Sequence, residues 1–332
     1  MADFALNGAI ARRRLLQAAA LGALPLPLLA HAEAAWPGKP VHLVVPFPPG
    51  GTTDYVTRLI GTELGKAVGQ PVIIDNKPGA GTVIGVDYVA KSAPDGSNFV
   101  TVANSFCANQ TLVRKLPYDS RRDLRAVALM GLSEHVLATH PGSGLKNLAD
   151  LRAAAKAGTG TLSYASFGNG TSAHLSGAML AQQMGIELVH VPYKGQGPAL
   201  TDLLGGQVTM MFGNWPEFRS HVESGKLVAL GMATLQRSAY APGIPTLAEQ
   251  GVPIESNSWN GLLAPAGTPD AVVQRMNAEV NRALAAPAVA AALQKGGIAS
   301  MARTPAQFAA FIDSEIAKYA DVIRKGGITL DT

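Results

Sequence analysis

Ser166-Phe167-Gly168-Asn169-Gly170-Thr171-Ser172-Ala173-His174 is the stretch on which the reading of this chain turns. A short β-like run, Leu162 to Ala165, leads into it. A helical pattern with Leu175, Met179 and Met184 on one face leads out of it. Strand, glycine turn, hydroxyl residues and helix, in that order, leave several backbone N–H groups free at a helix start. The aligned peptide dipoles add partial positive charge there, so the spot attracts anions. Taken alone, the stretch is better read as plain turn structure, with Gly168 and Gly170 supplying positive φ and Thr171 capping a helix.

A second stretch has the same layout. Val41–Val45 reads as a strand, Pro46-Phe47-Pro48-Pro49-Gly50-Gly51 as a turn, and Thr52-Thr53-Asp54 as the opening of a helix. Two anion-ready turns in one chain suggest a ligand held between two halves. Val41–Val45 is continuously apolar, as strands buried on both faces of a parallel sheet are. Val56, Leu59, Ile60 and Leu64 then fall on one helical stripe. Val72-Ile73-Ile74 and Phe99–Ala103 are further strands, with a helix through Val86, Val89 and Ala90 between them. The middle of the chain repeats the alternation, with strands at Leu188–Val191, Val208–Phe212 and Leu227–Met232. This is the pattern of an α/β fold with a doubly wound sheet in each of two domains. The crossings between domains are expected in the extended segments Ala126–Met130 and His135–Thr139, and in a strand over Ser258–Ala264. Residues 36–135 with 258–332 then form one domain, and 136–257 the other. Asn147 reads as an N-cap, Thr268-Pro269-Asp270 as a cap followed by a first-turn proline, and Thr304-Pro305-Ala306-Gln307 as a capping box. The C-terminal helices have no strands of their own, so they cover the first domain or wrap across both.

Composition narrows the function. The chain has 332 residues, 47% hydrophobic and 15% charged, which is ample for two cores and too apolar for disorder. Arg12-Arg13-Arg14, the apolar run Leu15 to Ala30 and Ala30-His31-Ala32 form an export signal, residues 1–32, with a cleavage site after Ala32. The paired arginines fit a twin-arginine signal and an arginine-rich secretory signal equally. The mature protein is thus expected to be periplasmic. Removing Asp3 and the three arginines lowers the formal charge from +4 to +2, and no basic cluster with interleaved aromatics points to nucleic acid. The single cysteine, Cys107, has no internal partner for a disulfide and reads as a buried structural thiol.

Catalytic constellations are absent. There is no G-x-S-x-G, no Walker A, no H-E-x-x-H and no paired cysteine, so no metal, cofactor or catalytic residue is expected. Gly79-Ala80-Gly81-Thr82-Val83-Ile84-Gly85 approaches a dinucleotide fingerprint, but the acidic residue at the end of the next strand is missing. Close helix–sheet packing is the better reading. His174 would sit in the first helical turn, and a neutral imidazole donating to a backbone carbonyl suits it better than direct ligand contact. Asp54 likewise suits its own helix start. Trp215 and Trp259 flank predicted loops and fit a core anchor or a cleft wall equally.

These pieces together resemble the solute receptors of tripartite tricarboxylate transporters, the Bug receptors. The resemblance rests on Trp36-Pro37, Val44–Asp54, Asp75–Gly81, Ser166–Leu175, Val191–Gly195, Leu203–Val208 and Ala264–Pro269, in the family's order along nearly the whole mature chain. It implies a two-domain, type II periplasmic binding protein that closes like a flytrap over a small carboxylate. It also implies delivery to the permease subunits of a tripartite carboxylate transporter. Carried over, the ligand-gripping positions are Phe47, Gly50, Gly51, Thr52, Thr53 and Asp54 on one side. On the other they are Ser166, Phe167, Gly168, Asn169, Gly170, Thr171 and Ser172. Asn104 and His174 complete the candidate ligand set, and Phe47, Asn104, Ser105, Phe167, Lys194 and Trp215 are positioned to read the rest of the molecule. A monomer is expected. A chemosensory receptor without transport and an exported nucleotide-dependent oxidoreductase using Gly79–Gly85 are the alternatives.

Overall fold

The computed structural model describes residues 36–158 and 162–329. The expected export signal at residues 1–32 lies outside them. The chain from Pro37 onward forms one compact unit. Among the described residues no helix is long and apolar enough to cross a membrane.

The elements follow the predicted alternation. In chain order they are β1 (Val41–Val45), α1 (Thr52–Val68), β2 (Val72–Asn76), α2 (Val83–Ala90), β3 (Asn98–Val102) and α3 (Asn104–Leu112). The long β4 (Leu124–Thr139) follows, then α4 (Leu148–Ala157), β5 (Ser163–Ser166), α5 (Ser172–Met184), β6 (Val189–Pro192), α6 (Gln196–Leu204), β7 (Met210–Asn214), α7 (Trp215–Glu223) and β8 (Val228–Met232). The chain closes with β9 (Asn257–Pro265), α8 (Asp270–Ala285), α9 (Pro287–Lys295), β10 (Ile298–Ser300) and α10 (Pro305–Lys325).

The strand order is β2-β1-β3-β9-β4-β7-β5-β6, with β8 and β10 also paired to β4. Two parallel trios stand at the ends: β1 pairs in parallel with β2 and β3, and β5 with β6 and β7. Between them β9 and β4 run antiparallel. The sheet is therefore mixed, with a doubly wound parallel portion in each half.

β4 joins segments that the sequence reading kept apart. The two extended segments at 126–130 and 135–139 are one strand of 16 residues. Its first part, Leu124 to Glu134, pairs with β9, while His135 to Thr139 pairs with β7. The register shifts between Ala126 and Ala128, between Leu129 and Gly131, and again between Leu137 and Ala138. Such irregularities bend a strand and raise its twist, so one strand serves both halves.

Each half has a core for the reason its strands predict. On β7, Met210 and Phe212 join one cluster with Leu137, Tyr164 and Leu180, while Met211 joins another with Val136, Ala165 and Phe218. Successive strand residues point to opposite faces, so a continuous apolar run is covered on both. In the other half Val44, Val100, Phe106, Trp259, Phe308 and Tyr319 pack together. Trp259 is a core anchor: it is fully buried, donates from Nε1 to Glu315 Oε2 at 2.9 Å and meets Phe308 and Phe311 edge-on. Trp215 is buried too, in the cluster of Met211 and Phe218 and beside Gly297, and is not a cleft wall.

The sequence reading places no element over α3, and the reason is plain. Residues 104–109 are all buried, so no polar stripe marks a helical period. Cys107 lies there, fully buried, with its thiol pushed up by burial. The caps divide. Asn147 accepts from Asp150 N at 2.9 Å, and Thr304 with Gln307 forms the full capping box. Thr268, however, does not cap α8, whose N-cap is Pro269. Of the C-terminal helices, α8 packs on α1 and β4, whereas α10 reaches both halves: it lies on α3, and Gln182 of α5 donates to its Val322 carbonyl at 3.2 Å.

Candidate ligand-binding cleft

A parallel strand followed by a helix points its carboxyl end toward the helix start, so ligands gather where such ends meet. Here five of them meet. The residues just after β1 (Phe47 to Thr53), β3 (Ala103 to Ser105), β5 (Phe167, Thr171, Ser172), β6 (Lys194 to Leu200) and β7 (Asn214, Glu217) surround one cavity. Its volume is about 290 Å³. Ser258 of β9 closes the floor.

The first jaw is built by an ionised group. Asp54 sits in the first turn of α1, almost fully buried. Its Oδ2 accepts from Gly50 N at 3.0 Å and Arg58 Nε at 2.9 Å, and its Oδ1 from Asn76 Nδ2 at 2.9 Å. Burial alone would raise its pKa, but the hydrogen bonds from Arg58, Gly50 and Asn76 outweigh burial and hold the carboxyl below its usual range. Asn76 also donates to the Phe47 carbonyl at 3.1 Å, which ties both ends of the turn. Among the described residues, no hydrogen bond reaches the backbone N–H of Gly51, Thr52 or Thr53. These are the orphan donors of a helix start.

The second jaw is built by neutral imidazoles. His174 Nδ1 accepts from Gly170 N at 3.1 Å, so the ring receives a backbone proton rather than giving one to a carbonyl. It stacks on His190 with centroids 3.8 Å apart, and His190 Nε2 meets Ser166 Oγ at 2.7 Å. Burial lowers the pKa of His174 to about 4; burial and the neighbouring His174 lower that of His190 to about 3. Both rings are therefore neutral near pH 7. Gly168 and Gly170 do supply positive φ, at 134° and 71°. The hydroxyls are spoken for: Thr171 Oγ1 donates to the Gly168 carbonyl at 2.6 Å, and Ser172 Oγ lies 2.9 Å from Ser258 Oγ and 3.3 Å from His135 Nε2.

His135 ties that helix start to the crossing strands. It is fully buried on β4, with Ser256 Oγ at 3.0 Å on Nδ1 and Ser258 Oγ at 3.2 Å on Nε2. Burial lowers its pKa to about 3. One neutral ring on β4, between the hydroxyls of Ser256 and Ser258 at the start of β9 and those of Ser172 and Ser176 on α5, sets where α5 begins.

Phe47, Gly50, Gly51, Thr52, Thr53, Asn104, Thr171 and Ser172 thus line the cavity, together with Ser105, Phe167 and Lys194. Asp54, Ser166, Gly168, Gly170 and His174 stand behind the wall, and Asn169, exposed, does not line it either. Asn104 lines it with its amide already engaged: Nδ2 donates to Asn257 O and Tyr319 Oη, and Oδ1 accepts from Trp259 N. The Gly79 loop packs instead of binding. A Cβ on Gly85 would lie 2.8 Å from Pro46 Cβ, so the glycine lets α2 approach the first jaw.

Among the cavity residues that escaped the sequence reading are Gln196, Asn214 and Glu217. Thr52 Oγ1 donates to Glu217 Oε1, and Asn214 Nδ2 donates to Thr52 Oγ1 at 2.9 Å. Burial pushes the Glu217 carboxyl up, against the hydrogen bonds from Thr52 and its neighbours. One signal was available. Met210–Asn214 followed by Trp215-Pro216-Glu217 is a third strand-then-helix junction, with a first-turn proline. An acidic residue in a first helical turn satisfies the helix dipole by itself, which hid it.

Comparison with known proteins follows the same line. The sequence model described as "Tripartite tricarboxylate transporter family receptor" matches residues 56–328. Protein BugT of Bordetella pertussis is 37% identical over 298 residues, covering 89% of this chain and 91% of BugT. Rpa4515 of R. palustris, solved with adipate, superposes with a TM-score of 0.83 at 33% identity, over 89% of this chain and 99% of that one. MatC of Rhodopseudomonas palustris, solved with malate, superposes at 0.80 with 33% identity, over 87% of this chain and all of that one. With jaws, topology and sequence in agreement, this chain belongs to the tripartite tricarboxylate transporter receptor family.

Proposed function

We propose that this chain is an exported, periplasmic, non-catalytic receptor that captures a small organic carboxylate between two jaws and presents it to the permease subunits of a tripartite carboxylate transporter. The observation that carries this is the pair of helix starts, α1 and α5, on one cavity with orphan N–H groups at Gly51, Thr52 and Thr53. Such donors suit an anion without a fixed cation. The adipate and malate held by Rpa4515 and MatC support a carboxylate as cargo.

The moving bodies in this reading are residues 36–135 with 258–332 and residues 136–257, working as a monomer. Phe47, Gly50–Thr53 and Thr171–Ser172 grip the cargo. Asp54, Ser166, Gly168–Gly170 and His174 hold those grips in shape. About six hydrogen bonds at ~1 kcal/mol net each, with ~1–2 kcal/mol from the dipoles, reach roughly micromolar affinity. That strength suits capture with release.

Native mass spectrometry of the protein as purified, followed by a thermal-shift screen of carboxylic acids, tests the reading. A carboxylate that raises the melting temperature with the logarithm of its concentration above Kd supports it. A screen in which no carboxylate shifts the protein refutes it. Gly51→Pro probes the donor directly. Gly51 has φ −84°, near proline's own value, so the change removes one N–H with little strain. Affinity should fall about tenfold, or ~1.4 kcal/mol, with unfolding nearly unchanged.

A further inference from the structure

Thr52 belongs to both jaws. It opens α1, in residues 36–135, and its N–H is one of the orphan donors of the first jaw. Its hydroxyl is spent on the other half. Thr52 Oγ1 accepts from Asn214 Nδ2 at 2.9 Å and donates to Glu217 Oε1. Asn214 ends β7 and Glu217 stands in the first turn of α7, both within residues 136–257. Burial favours a neutral Glu217 carboxyl, while Asn214 and Gln196 of its own half act on it in the opposite sense. Thr52 and Asn214 are buried. Other bonds between the halves are anchored on the crossing strands: His135 meets Ser172 and Ser176, and Glu134 accepts from Ser238. Gln182 reaches across on α10. Neither Thr52, Asn214 nor Glu217 lies on β4 or β9. A bond made on a crossing strand survives a swing about that strand, whereas a bond from α1 to α7 parts with it.

We propose that Glu217 is a positioning residue for capture: with Asn214 it clasps Thr52 Oγ1 when the cleft closes, and this clasp sets how long the carboxylate stays. This rests on the reading of capture between two moving bodies, residues 36–135 with 258–332 and residues 136–257. In the closed cleft the three groups are buried and paired. In the open cleft water takes their bonds. Removing the Thr52 hydroxyl therefore leaves unpaired buried groups in the closed state alone, and the equilibrium shifts toward open. One residue thus ties grip to closure, through its N–H to the cargo and its hydroxyl to the far half. Position 217 needs an acceptor of glutamate length, not a charge.

Stopped-flow binding of adipate and of malate tests this on the intact protein. So do distances between spin labels on Lys66→Cys and Thr201→Cys, exposed residues of the two halves, with Cys107 buried and unlabelled. Thr52→Val and Glu217→Leu should each speed dissociation about tenfold or more, with association changed by less than about threefold. Glu217→Gln and Thr52→Ser, which keep the bond, should stay near the starting rates. The double variant Thr52→Val, Glu217→Leu should be no worse than the worse single one, because both remove the same contact. The label distances should shift toward longer values in Thr52→Val. Folded Thr52→Val and Glu217→Leu proteins with unchanged dissociation overturn the inference, and so does a Glu217→Gln as damaging as Glu217→Leu. If the acids shorten the label distance equally in all variants while the rates stay alike, the clasp falls and capture by closure stands. If an acid binds and the label distance does not move, the two-body reading itself falls and takes the clasp with it. If neither acid binds, the ligand-free distances decide: a distribution that Thr52→Val leaves unchanged overturns the inference.

Discussion

The two jaws present the same chemistry to the cavity and are held by opposite means. At the first, one ionised carboxylate, Asp54, gathers Gly50, Arg58 and Asn76. At the second, neutral rings do the gathering, His174 for Gly170, His190 for Ser166 and His135 for Ser172. The first jaw lies near solvent, with Pro48, Pro49 and Gly50 exposed and Arg58 half-exposed. A charge is affordable there because the guanidinium and backbone N–H groups surround it. The second jaw is deeper: Ser166, Thr171, Ser172 and His174 are all buried. A buried charge without a counter-charge is costly, and a neutral imidazole is not.

The comparison can be broken at its ends. Asp54→Ala should be the largest blow. It strands three donors, two of them on side chains, and should cost about 3 kcal/mol in urea unfolding as well as most ligand affinity. If stability fell by less than about 1 kcal/mol, the first jaw would not depend on its carboxylate. His174→Ala should cost about 2 kcal/mol, since it removes one acceptor and a ring stacked on His190.

The pH dependence separates the jaws most sharply. His135, His174 and His190 have folded pKa values of about 3, 4 and 3, below the ordinary 6.5. The unfolded chain therefore binds more protons between those values, so stability should fall as pH drops from 6.5 toward 4. The slope limit is about 1.4 kcal/mol per pH unit for each proton. Asp54, held below 3.8, keeps its contribution through that window and loses it only at lower pH. Urea titrations at stepped pH check this, and His174→Asn should flatten the slope. The smallest effect belongs to Arg58→Gln. With its side chain about half exposed, the pair with Asp54 should contribute under about 1 kcal/mol and weaken further in salt.

Much of this was legible in the chain. The strand–turn–helix units at Val41–Asp54 and Leu162–Met184 were readable because their logic is local. An apolar run, glycines and hydroxyl residues within a dozen positions specify strand, turn and helix start. The capping box at Thr304 and Gln307 was readable for the same reason. α3 was not, because its first six residues are all buried and so show no amphipathic period. Nor was the continuity of β4, since its bends are registered against β9 and β7, far along the chain.

The division of labour in the cleft shows where local reading stops. Sequence by itself determined that two helix starts would carry free N–H groups, because backbone geometry at a glycine turn demands it. It also determined that each half would be α/β, because continuous apolar strands need cover on both faces. Only the tertiary structure decided what each side chain does there. Thr52 and Glu217 stand 165 residues apart, and Asn104 and Tyr319 215 apart, yet each pair shares a hydrogen bond. Hydroxyls and amides accept whichever partner the fold brings within reach, so their roles follow from packing and not from spacing. Thr171 and Ser172 spend their hydroxyls on the frame of the jaw, and Glu217 brings to an anion site a carboxylate that no stretch of sequence announces.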